Sequence, residues 1–178
     1  IPRGMALGLT AQIPEDEKHN YQKKYLLGRL DILMGGRCAE NLIFNDTSTG
    51  AGNDIATATD ISRKMVCEWG MSDVIGPLTF GKKEEQVFLG RDFSQSQDYS
   101  EGTALHIDEE VRRIVTDNYE RGKKELEEHK EELVRIAEEL LVREVLNGEQ
   151  VKRIVRGLPL DDPADKSTVG SASPSDAV

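Results

Sequence analysis

The amino-acid sequence predicts a mainly α protein, a helical bundle with a short edge strand or hairpin and a disordered C-terminal tail. Three observations carry this. Apolar residues recur at three- and four-residue spacing along most of the stretch from Gln22 to Arg143, the pattern of helices that bury one face. Charged residues make up 31% of the chain and aromatic residues 5%, a balance that suits helices better than a β-sandwich or barrel. From Leu160 onward the composition turns to Asp, Pro, Ser, Ala and Gly, which bury too little apolar surface to offset chain entropy. At 178 residues the chain is one domain, or one domain and a tail, and long enough to bury a core.

Residues 1–13 alternate weakly, with Met5, Leu7 and Leu9 set against Ala6, Gly8 and Thr10. This reads as a short strand, and its Gly and Pro content makes it an edge or irregular one. Pro14-Glu15-Asp16-Glu17 is a turn or helix start. From Gln22 to Phe44 a helical stripe comprises Leu26, Leu30, Leu33, Met34, Cys38 and Leu42. Gly35-Gly36 interrupts it, at about 1 kcal/mol per glycine relative to alanine. A close neighbour is therefore expected to cross there, with Arg37 and Glu40 on the polar side.

A second helix is expected from Asn53 to Trp69, with Ile55, Ala58, Ile61, Met65, Val66 and Trp69 on one broad face and Gly70 as a left-handed stop. Residues 71–97 are punctuated by Gly76-Pro77 and Gly81. Leu78-Thr79-Phe80 and Val87-Phe88-Leu89 could form a small hairpin in this loop-rich stretch. Ser100 caps a long helix to Glu128, whose stripe runs through Ala104, Ile107, Val111, Ile114, Val115, Tyr119 and Leu126. Lys130–Arg143 is a further helix with Leu133, Ile136, Ala137, Leu140 and Leu141 on its apolar face. A break near His129 would make the pair an antiparallel hairpin, and its absence one rod; the break is the reading adopted. Asn147-Gly148 turns the chain into a short helix from Glu149 to Val155.

The formal net charge of −10 argues against nucleic-acid binding and against anionic membrane surfaces. No apolar run approaches the length of a membrane span. Cys38 and Cys67 lack C-x-x-C spacing and sit in helical patterns, which suggests reduced, buried thiols. His19, His106 and His129 read as solvated side chains, and no two of them have the spacing of an H-E-x-x-H zinc helix. Gly50-Ala51-Gly52 lacks the Gly-Lys-Ser/Thr of a phosphate-binding loop. The chain opens Ile1-Pro2-Arg3-Gly4, without Met or a signal pattern, and reads as a cut inside a longer protein.

The polar chemistry gathers at Ser48-Thr49-Gly50-Ala51-Gly52-Asn53-Asp54. The glycines permit positive φ or close backbone approach. Asn53 reads as an N-cap, and Asp54 falls in the first helical turn, facing the positive end of the macrodipole. A carboxylate so placed at the mouth of a loop suits a hard or borderline cation. The plain alternative is that Asp54 only stabilises the helix end.

Gly35-Gly36-Arg37-Cys38-Ala39-Glu40, the 48–54 stretch and Met65-Val66-Cys67-Glu68-Trp69-Gly70-Met71-Ser72 together resemble the peptidase domain of the FtsH family, membrane-anchored AAA+ ATP-dependent zinc metalloproteases. Gly76-Pro77-Leu78, Val87-Phe88-Leu89-Gly90-Arg91, Ile107-Asp108-Glu109-Glu110-Val111 and Leu146-Asn147-Gly148-Glu149-Gln150-Val151 extend the match over about residues 1–157. The resemblance implies a peptidase-domain fragment at 1–157 followed by a disordered tail at 158–178. It makes Asp54 the third zinc ligand. The two histidines and the general-base glutamate of an H-E-x-x-H helix, the ATP- and Mg-binding module and the membrane anchor would all lie before Ile1. Glu40, Asn53, Thr49 and Gly50 would support the ligand, although Asn41 stands where the family often has a second Glu. Met5, Ala6, Leu7 and Gly8 would pair with substrate as an added strand. Also implied are a homo-hexamer, unfolded or membrane protein substrates in quality control, and a place on the cytoplasmic face of the bacterial inner membrane or its organelle equivalent. The fragment alone is expected to be inactive. The alternative is a non-catalytic helical assembly module that retains the family's oligomerisation surface.

Overall fold

The computed structural model describes Thr10, residues 20–81 and residues 99–160. Among these, five helices and no strand are present: α1 Lys23–Phe44, α2 Gly52–Cys67, α3 Glu101–Glu128, α4 Lys130–Arg143 and α5 Gly148–Val155. The mainly helical fold class is as expected. The strand expected over residues 1–13, including Met5 to Gly8, lies outside the described residues, as do Pro14–Glu17, His19, the Val87–Leu89 limb of the hairpin and the tail beyond Leu160.

The chain divides into two compact units, and the larger, residues 14–128, holds α1, α2 and α3. In it α1 packs along α3, and α2 packs on both. Leu26, Leu30, Met34 and Cys38 of α1 meet Ala58, Met65 and Val66 of α2 and Ile107, Val111 and Ile114 of α3. Burying side chains as large as Leu30, Met65 and Ile107 contributes about 1.5–3 kcal/mol each. Both cysteines are buried and free, and burial pushes their thiol pKa values up.

Two expectations need correction here. No atom of a neighbouring element lies within 4 Å of where a Cβ would stand at Gly35 or Gly36. The close approach is at Gly122 of α3, where a Cβ would sit 3.7 Å from both the Asp31 carbonyl oxygen and Cys38 Sγ. The helical phase explains the exchange: Cys38 shares the α3-facing side of α1 with Leu30 and Met34, and the glycines do not. Trp69, assigned to the apolar face of the second helix, is 44% exposed, because α2 already ends at Cys67. Gly70 does take the left-handed conformation, φ +58°, and Met71 N–H donates to Met65 O at 2.8 Å across the helix end. Ser100 caps α3 as expected, accepting from Thr103 N–H at 3.2 Å.

The periodicity of α3 concealed two buried polar residues. Glu110 is 3% exposed; it accepts from Ser72 Oγ at 2.7 Å and from Arg113 Nε and a terminal guanidinium nitrogen at 2.8 and 2.9 Å. Ser72 Oγ in turn accepts from the amides of Val74 and Ile75, so its one donor and two acceptor sites are all used. Asn118 donates to Ile114 O and accepts from Arg121, whose guanidinium also holds Asp31 of α1.

In the second unit the helix breaks at His129, as expected, and α4 packs on α5. Asn147 caps α5 through a reciprocal pair with Gln150, each bond 2.9 Å, so the helix begins at Gly148 rather than Glu149. The expected apolar stripe of α4 is only partly covered: Leu133 and Ile136 are half-buried, while Leu141 is 85% exposed.

Candidate metal centre

The seven residues between α1 and α2 are held by a short hydrogen-bond relay. Asn45 ends α1 in the left-handed conformation, φ 50°. Its short polar side chain tolerates that region better than most. About one turn before the end of α1, Glu40 accepts from both Ser48 Oγ and Ser48 N–H, the latter at 3.2 Å. Arg37 lies beside the same carboxylate at 3.4 Å. Ser48 Oγ also accepts from Gly50 N–H at 3.0 Å, a local turn that Ser forms readily. The Ser48 hydroxyl and amide hold the Glu40 carboxyl below its ordinary range. Gly50 is needed for space: a Cβ there would meet Ser48 Oγ at 3.1 Å and Glu40 Oε1 at 3.5 Å.

The relay delivers the chain to α2. Gly52 N–H donates to Thr49 O, and Ile55 N–H to Ala51 O, each at 3.0 Å. The N-cap position is therefore Ala51, with no side-chain cap, and the expectation that Asn53 caps the helix is corrected. The cause is that Ala51 already supplies the first helical carbonyl, which puts Asn53 inside the first turn, where its side chain is exposed. Asn53 O accepts from Thr57 Oγ1 at 2.8 Å instead. Asp54 does stand in the first turn of α2, half-buried, and no hydrogen bond or ion pair to another described residue occupies its carboxylate. Thr49, Gly50, Asn53 and Asp54 thus form one loop-to-helix unit pinned to α1 through Glu40. Sequence reasoning found Glu40 but missed Ser48 as the link; a Ser two residues before a Gly is the local signal that could have found it.

Zinc accepts carboxylate, imidazole and thiolate donors. Asp54 fits as one such donor, since no hydrogen bond or ion pair among the described residues engages its carboxylate. Cys38 and Cys67 belong to the core, and His106 and His129 are exposed side chains. Among the described residues no three His, Cys, Asp or Glu side chains converge on a metal position. The chain therefore fits zinc with one ligand and does not complete the set.

Comparison of the sequence with known proteins places the chain in a peptidase family. Residues 1–154 match Peptidase family M41, and the chain belongs to that family. It is 52% identical over 157 residues to the ATP-dependent zinc metalloprotease FtsH of Myxococcus xanthus, covering 88% of this chain and 25% of that protein. The protein of the same name from Acidobacterium capsulatum is 47% identical over 176 residues, covering 99% and 27%. That from Magnetococcus marinus is 48% identical over 161 residues, covering 90% and 24%. The chain spans about a quarter of the length of these curated relatives. No helix among the described residues is long and apolar enough to cross a membrane.

Proposed function

We propose that this chain is the C-terminal part of the peptidase domain, residues 1–157, with a tail at 158–178, of an ATP-dependent zinc metalloendopeptidase that degrades unfolded and membrane proteins. The observation that carries the reading is Asp54: a carboxylate in the first turn of α2, unengaged among the described residues, in a chain of Peptidase family M41. Asp54 acts as the third zinc ligand, and an H-E-x-x-H helix encoded before Ile1 supplies the other two and the general base. Zinc in such a site lowers the pKa of bound water to about 7 and polarises the peptide carbonyl. This chain's part is to hold one ligand still. Glu40 fixes Ser48, Ser48 fixes Gly50, and the Thr49 carbonyl receives the first amide of α2, so Asp54 is presented from a braced helix end. Met5 to Gly8 pairing with substrate, a hexameric ring, an ATPase that binds ATP and Mg, and an anchor placing the enzyme at the cytoplasmic face of the bacterial inner membrane, or its organelle equivalent, complete the reading. They rest on the resemblance and on the relatives' names.

The test is Asp54→Ala in a protein of the relatives' length. Bound zinc and casein cleavage are lost while ATP hydrolysis is kept. Retention of zinc and proteolysis refutes the ligand role, and parallel loss of ATPase and peptidase activity points to a folding role instead. The 178-residue chain alone cleaves no casein; chelator-sensitive cleavage by it would overturn the fragment reading.

A further inference from the structure

The metal chemistry leaves Asn147-Gly148 unused. Asn147 is the one asparagine of the sequence that glycine follows. Asparagine is chemically labile, and most so where the next residue has no side chain to crowd its backbone nitrogen. Here the Asn147 side chain is exposed, and no atom of a neighbouring element lies within 4 Å of where a Cβ would stand at Gly148. Gly148 is also the first residue of α5, so helix geometry gives its amide no intrahelical acceptor. An electrophilic side-chain amide, an unhindered nitrogen and open access to water therefore meet at one peptide bond.

We propose that Asn147 is a site of intramolecular deamidation, restrained by the capping box of α5. In this reaction the Gly148 amide gives up its proton and its nitrogen bonds to Asn147 Cγ. The Cγ–Nδ2 bond breaks, and ammonia leaves with that proton. Water then opens the resulting succinimide at either carbonyl, giving aspartate or isoaspartate. Ring closure needs Cβ and the Gly148 nitrogen eclipsed about the Cα–C bond of Asn147. By tetrahedral geometry the observed ψ of 168° holds them staggered. The Asn147 side-chain oxygen accepts from Gln150 N–H, and Asn147 N–H donates to Gln150 Oε1, each at 2.9 Å. Turning Cγ towards the Gly148 nitrogen pulls both bonds apart, so closure proceeds only from a frayed helix end. The two products differ in what they leave behind. Aspartate caps a helix as well as asparagine, and its charge suits the N-terminus. Isoaspartate routes the main chain through Cγ, which adds a methylene to the backbone and removes the capping side chain. The helix it loosens carries buried Ile154 and, through Arg153, holds the Pro159 carbonyl at 2.7 Å.

The experiment incubates the 178-residue chain in mildly alkaline buffer, natively and in urea. The tryptic peptide 144–152 is then followed by mass spectrometry, with the aspartate and isoaspartate forms separated by chromatography. Both products should form at Asn147, more slowly in the native chain than in urea. Gln150→Ala should raise the native rate about fivefold, the factor given by about 1 kcal/mol of lost hydrogen bond at about 1.4 kcal/mol per tenfold. It should leave the urea rate unchanged. Gln150→Glu keeps an acceptor for the Asn147 amide and should convert at the wild-type native rate. Gly148→Ala should slow conversion in urea, where the helix plays no part. Equal wild-type rates in buffer and urea would overturn the restraint by the capping box, as would a Gln150→Ala native rate equal to the wild type or a Gln150→Glu rate as fast as Gln150→Ala. A native chain still unconverted when the urea sample has turned over completely would overturn the site itself. An unchanged urea rate in Gly148→Ala would do the same, because attack would not then come from the Gly148 nitrogen.

Discussion

Replacing Glu110 with Ala tests how the 71–76 turn is held to α3. The carboxylate is 3% exposed and closes the hydrogen-bonding of Ser72, whose hydroxyl already accepts from the Val74 and Ile75 amides. Without Glu110 a buried hydroxyl donor loses its acceptor, a cost of about 1–3 kcal/mol. The two bonds from Arg113 count for less, about 1 kcal/mol, since Arg113 is half exposed and keeps Asp117 at 2.9 Å. The vacated methylenes add about 1 kcal/mol of lost burial and cavity. Together Glu110→Ala should destabilise by about 3–5 kcal/mol, read as a fall in the urea midpoint at constant slope. Glu110→Gln keeps an acceptor for Ser72 and should lose about half as much. A Ser72→Ala, Glu110→Ala double variant should be less destabilised than the separate losses imply, by about 1 kcal/mol. A Glu110→Ala midpoint equivalent to less than about 0.5 kcal/mol of change would place it with ordinary surface substitutions and refute the reasoning.

Gly70→Ala forces a Cβ to 2.9 Å from Pro77 Cα at a φ of +58°, and should cost about 2–3 kcal/mol in the same unfolding assay, since backbone must move as well as strain be borne. Acid should destabilise the fold by a predictable route. Glu110, through the Arg113 hydrogen bonds first, and Glu40, through Ser48, have carboxyl pKa values held below the ordinary 4.5. The unfolded chain therefore takes up these protons first as pH falls. The stabilisation is full above the unfolded pKa and is lost as pH drops through the folded values. Unfolding midpoints measured from neutral pH down to about pH 3 should fall for the wild type and fall less for Glu110→Gln.

The helices were legible because core burial writes a period: Leu26, Leu30, Met34 and Cys38 on α1, or Ile107, Val111 and Ile114 on α3, could be read from spacing alone. A cap was legible at Ser100, where a side chain does the capping, whereas Asn147 was read only as part of a turn. The cap expected at Asn53 failed, because α2 opens on backbone carbonyls of Thr49 and Ala51 that carry no residue-type signal. Glu110 and Asn118 escaped for a related reason. Three acidic residues in a row look like a solvated face, and only the phase set by Ile107 and Ile114 shows that the third turns inward. Gly35-Gly36 was read as the place where a neighbour crosses closely, but among the described residues the close approach is at Gly122, which the spacing on α3 did not single out. The Asp54 site came from an ordered set of motifs; no spacing rule would have separated a metal ligand from a helix-stabilising carboxylate.

On the proposed reading, Asp54 is the metal ligand and Glu40 the brace of the loop that presents it. A metal ligand needs uncommitted lone pairs, and the Glu40 carboxylate spends its own on the Ser48 hydroxyl and amide, with Arg37 beside it. Asp54 has none spent among the described residues. Replacing Glu40 should therefore weaken metal binding without abolishing it, because the ligand remains and only its bracing is lost. Removal of outer-shell partners typically costs about 10–100-fold in metal affinity, and Glu40→Ala in the longer protein should fall in that range. Glu40→Gln, which retains one acceptor for Ser48, should recover part of the loss. Ser48→Ala should resemble Glu40→Ala, because it cuts the same relay one step later, at the bond to the Gly50 amide. Zinc affinity measured by competition with a chelator decides the matter. Loss of zinc by Glu40→Ala as complete as that by Asp54→Ala, with Ser48→Ala unchanged, would make Glu40 a ligand and the loop relay incidental.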